Sequence, residues 1–186
     1  FDITGKLINE TQLYRDGLKA FSEFNPLKDV TYQTPGVART DGKPKLYRAA
    51  RYGLDASLFL LDARSFRDAE LTAPEDPNNA LQVGAFLSQS MDLNPLTGQA
   101  LPRRTMLGQA QLSDLKSDLL AAEKAGVIWK FIGVPEPIQN LGVLAASDRF
   151  EGYAAERSDI LGFIHTNRIR NVVFIAADIH GTLINN

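Results

Sequence analysis

Apolar and polar positions change rhythm several times along the chain. Leu13, Tyr14, Leu18, Phe21 and Phe24 recur at roughly helical spacing, which predicts a helix over residues 10–24 with one apolar stripe. Asn9 is a suitable N-cap for it. Asn25-Pro26 ends it, because the residue before a proline avoids the helical region. Residues 27–44 read as loop, punctuated by Pro35, Gly36, Gly42 and Pro44. Residues 45–52 read as a strand, and the wholly apolar run 57–61 as a strand buried on both faces. Periodicity lapses over 63–103, apart from a short helix near 79–90. It then returns. Leu112, Leu115, Leu119 and Ala122 share one face of a helix over 111–125, which Gly126 stops. Residues 127–132 form a strand, and 152–167 a helix with Ile160, Leu161, Phe163 and Ile164 on its apolar side. Residues 171–177 form a third buried strand. This order of strand, helix, strand, helix, strand predicts an α/β fold.

Composition narrows the class without naming a function. The chain has 186 residues, 44% of them hydrophobic and 23% charged, with a formal net charge of −2. That excludes a disordered chain, which is poor in hydrophobics and rich in net charge. Scattered glycines and prolines exclude a collagen-like repeat. A near-neutral balance argues against a nucleic-acid scaffold, which needs a basic excess. The length fits one domain. The absence of cysteine removes disulfides, thiolate metal sites and thiol nucleophiles. His165 and His180 are the two histidines, so imidazole chemistry rests on one of them. No signal peptide or membrane-spanning apolar stretch is visible. The chain begins at Phe1, which fits a removed leader, an expression product or a piece of a longer protein.

Candidate chemistry concentrates at strand ends. Asp178 and His180 follow the last apolar run with one residue between them. Ligands in α/β proteins collect beyond the carboxyl ends of strands. On an extended segment, residues i and i+2 share a side, so both side chains reach one cation. The alternative is a loop-capping carboxylate beside a surface imidazole. Arg64 and Arg67 follow the 57–61 run. They suit bidentate binding of an anionic substrate, or alternatively an ion-pair network with Asp62 or Asp68. Arg103-Arg104 reads as a solvated basic pair, Glu156-Arg157 as a surface or interhelix pair, and His165 as a helix-terminal histidine. Asn9-Glu10-Thr11 also matches a glycosylation sequon, with capping the preferred reading. The glycine motifs of nucleotide folds and the nucleophile elbow of serine hydrolases are absent.

Several segments, in order, resemble the PhoD-like alkaline phosphatase family of metallophosphoesterases. They are Lys45-Leu-Tyr-Arg48 with Arg51-Tyr-Gly53, then Leu60-Leu-Asp-Ala-Arg-Ser-Phe-Arg-Asp68. Arg104-Thr-Met-Leu-Gly-Gln109 follows with Gln111 and Leu115, then Trp129-Lys130, Glu151-Gly-Tyr-Ala-Ala-Glu-Arg157 and Asn171-Val-Val-Phe-Ile-Ala-Ala-Asp-Ile-His180. The resemblance implies part of a β-sandwich flanked by helices, and hydrolysis of a phosphoester substrate by a cluster of iron and calcium ions. It makes Asp178 and His180 metal ligands, with Glu151 a further candidate. It also implies a periplasmic or extracellular location. Two positions depart from the family pattern. Ala177 stands where a glycine is usual, and Phe150-Glu151 where Trp-Asp is usual. The family's earlier metal motifs would precede Phe1. The expectation is therefore a single partial domain over residues 1–186, the C-terminal-side portion of a phosphoester hydrolase. It would be inactive without the remainder of the parent protein. The alternative is a non-catalytic α/β scaffold or a phosphate-ester-binding module.

Overall fold

A computed structural model describes residues 7–185. Residues 1–6 and 186 lie outside the described residues. Four strands form one mixed sheet in sequence order: β1 (Arg48–Tyr52), β2 (Ala56–Leu60), β3 (Trp129–Val134) and β4 (Val172–Ala176). β1 pairs antiparallel with β2, whereas β2, β3 and β4 run parallel. The helices are α1 (Gln12–Phe24), α2 (Ala80–Ser90), α3 (Gln109–Lys124) and α4 (Ala154–Thr166). α3 and α4 connect the parallel strands, as a parallel pair requires a crossover. The α/β expectation therefore holds.

α3 and α4 lie against one face of the sheet. Phe59, Ile132 and Val134 on that face join Leu112, Leu115 and Leu119 of α3 and Ile160 of α4 in one core. The strand period of two sends the intervening side chains to the opposite face. There Tyr52, Leu60, Trp129 and Ile175 are exposed, while Leu58 and Phe131 are half-buried. This corrects the expectation that the apolar strands are buried on both faces. The reason is that no helix covers the second face among the described residues. α1 repeats the pattern. Its stripe exists, but none of its residues is buried, and Leu13 and Phe24 are among the most exposed apolar side chains.

Three boundaries move for identifiable reasons. Asn9 is not the cap of α1. It lies buried in a 3-10 turn and donates to the Arg39 carbonyl, while the Thr11 hydroxyl accepts the Tyr14 amide. β3 starts at Trp129, two residues later than the apolar run suggests. Gly126, at φ 71°, lets its amide reach the Glu123 carbonyl and the Val127 amide reach the Ala122 carbonyl. That is a Schellman closure of α3, and it uses Val127 as a helix-end contact and not as a strand residue. β1 starts at Arg48, because the Lys45 amide bonds the Val30 carbonyl instead. α2 begins as expected, with the Asn79 side chain accepting the Leu81 and Gln82 amides.

Candidate functional site

Because β2, β3 and β4 are parallel, their carboxyl ends meet at one edge of the sheet. From them emerge Asp62 and Arg64, Glu136, and Asp178 with His180. The end of β2 is fixed from both sides. Asp62 Oδ1 accepts the Arg64 and Ser65 amides at 3.0 Å each, a side-chain-closed turn. Gln111, fully buried in α3, accepts the Asp62 amide at 2.8 Å and donates to the Asp62 carbonyl at 2.7 Å. This clasp ties the Arg64 backbone to the core.

Arg64 is half exposed and carries two carboxylates. Nη2 lies 2.7 Å from Glu136 Oε1, and Nη1 donates to Asp148 Oδ2 at 3.2 Å. Glu136 is 0% exposed and follows β3 between Pro135 and Pro137. The Arg64 contact lies off the N–H axis, so neither Glu136 oxygen takes an aligned hydrogen bond. Burial pushes the Glu136 carboxyl above the usual carboxylate range, and Arg64 opposes that shift. Arg67 is mostly enclosed and pairs with Glu70. Both arginines therefore sit in ion pairs, but not with the expected partners. Asp62 closes its own turn, and Asp68 pairs with Arg39 at 2.5 Å.

Asp178 and His180 stand beyond β4, both exposed. The segment is not extended. Asp178 has φ 72° and His180 φ 49°, and the Ile179 amide turns back to the Ala177 carbonyl at 2.9 Å. The alternation argument for a shared side is therefore corrected, because a left-handed turn sets their directions. Such a conformation is sterically costly for residues that carry a Cβ. The Ala177 amide bonds the Pro135 carbonyl, which couples this turn to the segment carrying Glu136.

Glu151 serves its own loop. It is buried, and its Oε1 accepts the Leu141 amide at 2.6 Å, with Arg149 Nε 3.6 Å from Oε2. Among the described residues, no three His, Cys, Asp or Glu side chains stand together so as to hold a metal ion. Asp178 and His180 offer two donors, whereas zinc-like centres take about four and calcium about six to eight. The residues present do not complete such a centre. His165 lies in the last turn of α4, as expected.

Two sizeable cavities open in the protein, one of them beside these elements. One of about 540 Å³ is walled by Ile138, Val172, Phe174, Ala177, Ile179 and Leu183, alongside the Asp178–His180 turn. Another of about 650 Å³ opens beside Glu156, with Arg39, Arg103 and Arg104 in its wall; Arg64, Glu136, Asp178 and His180 take no part in it. The sequence reading missed Glu136. A lone carboxylate between two prolines carries no period and no motif. Its one available signal was its position just past an apolar run.

A mixed sheet with crossover helices on one face makes this an α/β protein, with charged residues at the carboxyl ends of its parallel strands, where α/β folds generally place ligands. The particular family follows from comparison. Residues 5–186 match the family described as PhoD-like phosphatase, and the chain belongs to that family. It is 28% identical over 151 residues to alkaline phosphatase D of Bacillus subtilis (strain 168), covering 76% of this chain and 22% of that protein. It also resembles a solved structure titled "Structure of PhoD", with a TM-score of 0.60 and 25% identity, over 87% of this chain and 27% of that one. The chain thus spans about a quarter of the length of these relatives. No helix among the described residues is long and apolar enough to cross a membrane.

Proposed function

We propose that this chain is one part of a phosphoester hydrolase of the alkaline phosphatase or phosphodiesterase type. The observation that carries the reading is the placement of Arg64, Glu136, Asp178 and His180 after the carboxyl ends of three parallel strands, in a chain of the PhoD-like phosphatase family. In this reading Arg64 binds a phosphoryl oxygen. It is half exposed and keeps N–H donors beyond those its two carboxylates occupy. Arg67 supports the same charge from a more enclosed position. Asp178 and His180 supply two donors to a metal centre of the iron and calcium kind, completed by residues outside this chain. When bound, such ions supply Lewis-acid polarisation of the phosphoryl group. The exported location implied by the resemblance belongs to the same reading.

The remainder of the parent polypeptide would cover the open sheet face. Exposed Leu60, Trp129 and Ile175 support this, because a contiguous apolar face usually marks an interaction surface. The chain alone is then expected to be inactive. Two assays test the reading. The isolated chain, supplied with iron and calcium, should not hydrolyse an aryl phosphate, and turnover by it would overturn the two-part reading. In the full-length parent, Asp178→Asn should lower both metal content and activity. Unchanged values refute the ligand assignment. Phosphate binding without turnover by the parent would select a binding module instead.

A further inference from the structure

We infer that Glu136 is a positioning residue that aims the Arg64 guanidinium at the substrate's phosphoryl oxygens. This rests on the phosphoester reading above. Glu136 is 0% exposed, yet neither of its oxygens takes an aligned hydrogen bond. Its one close polar side-chain neighbour of opposite charge is Arg64 Nη2, at 2.7 Å. Burying a carboxylate opposes folding where desolvation of the charge exceeds what its contacts return, and here those are the Arg64 pair, a contact with the residue's own amide and the more distant Arg67. A neutral side chain of the same shape fits such a site at lower cost. The position therefore makes little sense as a stabiliser of the fold. It makes sense as a fixed charge.

Its surroundings are rigid in the way that role requires. Pro135 and Pro137 flank Glu136, and each proline locks its own backbone φ. The Pro135 carbonyl is bonded by the Ala177 amide at the end of β4. The other end of the contact is equally fixed, because Asp62 and Gln111 hold the Arg64 backbone. The flexible element left is the Arg64 side chain itself. Glu136 holds one guanidinium arm from the buried side, while Asp148 holds the second from the outer side. Two carboxylates on two different arms set the plane of the fork. The plane decides whether the remaining donors meet a phosphoryl group bidentately. The charged groups facing Glu136 are Arg64, Arg67 and Asp148, so no second cation lies closer to replace Arg64.

The test uses the full-length parent protein, with an aryl phosphate as substrate and inorganic phosphate as a binding probe. Glu136→Gln keeps the shape and removes the charge. It should raise KM, and weaken phosphate binding, by about tenfold, with kcat changed by less than about twofold. Its thermal midpoint should equal or exceed that of the wild type. Arg64→Lys should show a similar loss, and the double variant should lose little more than either single one, since both act through one guanidinium. If Glu136→Gln lowers stability and leaves KM and phosphate binding unchanged, Glu136 is structural and the inference is wrong. Independent, additive losses in the double variant overturn it as well. If the wild-type parent neither hydrolyses the ester nor binds phosphate, the phosphoester reading falls, and this inference falls with it. If the parent turns over normally and only the Glu136 effect is missing, this inference alone falls.

Discussion

Three donors converge on Glu156, which is 2% exposed and sits in the first turn of α4. It accepts the Met106 and Leu107 amides at 2.9 Å each and the Thr105 hydroxyl. It thereby holds the approach to α3, a stretch without helical or strand period. Glu156→Ala leaves the buried Met106 and Leu107 amides without their acceptor, and each buried unpaired group costs on the order of 1–3 kcal/mol. The expected loss is about 3 kcal/mol in a chemical denaturation experiment, against a smaller loss for Glu156→Gln. A loss below about 1 kcal/mol for the alanine variant would contradict the bonding described. The sequence left Glu156 as part of a surface or interhelix pair, because a buried carboxylate on a helix carries the same letter as a solvated one. Only its partners, about fifty positions away along the chain, separate the two cases. Gly108 belongs to the same turn. Its φ of 79°, and a Cβ that would lie 2.7 Å from Phe66 Cβ, leave room for glycine there.

At the scale of elements, period and punctuation carried most of the fold. α3 was legible from its leucines and from Gly126, and α2 only as a short helix near 79–90, without the Asn79 cap that starts it. The strand limits were less so. Val127 looks like strand and acts as a helix closure, and a short apolar run cannot reveal how many of its faces are covered. Lys130 in β3 shows a related limit. It is 2% exposed on the helix-covered face, pairs with Glu123 at the end of α3, and donates to the Arg170 carbonyl. The charge thus ties α3 to the loop entering β4. Glu123→Gln leaves the ammonium enclosed without its anion and should cost about 3 kcal/mol. Lys130→Met replaces the pair's cation by an apolar chain of similar length and should fall within about 1 kcal/mol of the wild type. The pH dependence has a defined sign. The hydrogen bond from Lys130 is the main cause holding the Glu123 carboxyl below its ordinary 4.5. Its stabilising contribution is therefore complete above that value and is lost as pH falls through the lowered one. Urea midpoints of wild type and Glu123→Gln should converge on acidification below about pH 4.5. A gap that widens there would show that the pair is not what holds these elements.

For the whole molecule, the controlling fact is an α/β layer with one apolar sheet face uncovered among the described residues, in a chain about a quarter the length of its relatives. Residue motifs made the family legible. The open face was not, because strand period assigns residues to two sides without saying which side has a neighbour. Asp178, His180 and Arg64 could be singled out in the sequence from their places after apolar runs, whereas Glu136, which contacts Arg64, could not. A charge placed on the open face should behave in opposite ways in the two contexts. Ile175→Lys should leave the isolated chain's stability within about 0.5 kcal/mol and reduce its self-association, read by light scattering. In the full-length parent, the same lysine should cost about 2 kcal/mol or more, if the face is buried there. Equal small effects in both would show that nothing covers the face. Nature has placed an optical probe on this boundary. Trp129 is the chain's one tryptophan, 46% exposed and stacked on Phe131 at 6.3 Å between ring centroids. Its emission therefore reports directly on whether water or protein lies against the sheet. If the proposed remainder of a longer polypeptide covers this face, mixing the two should move that emission to shorter wavelength, with no label attached.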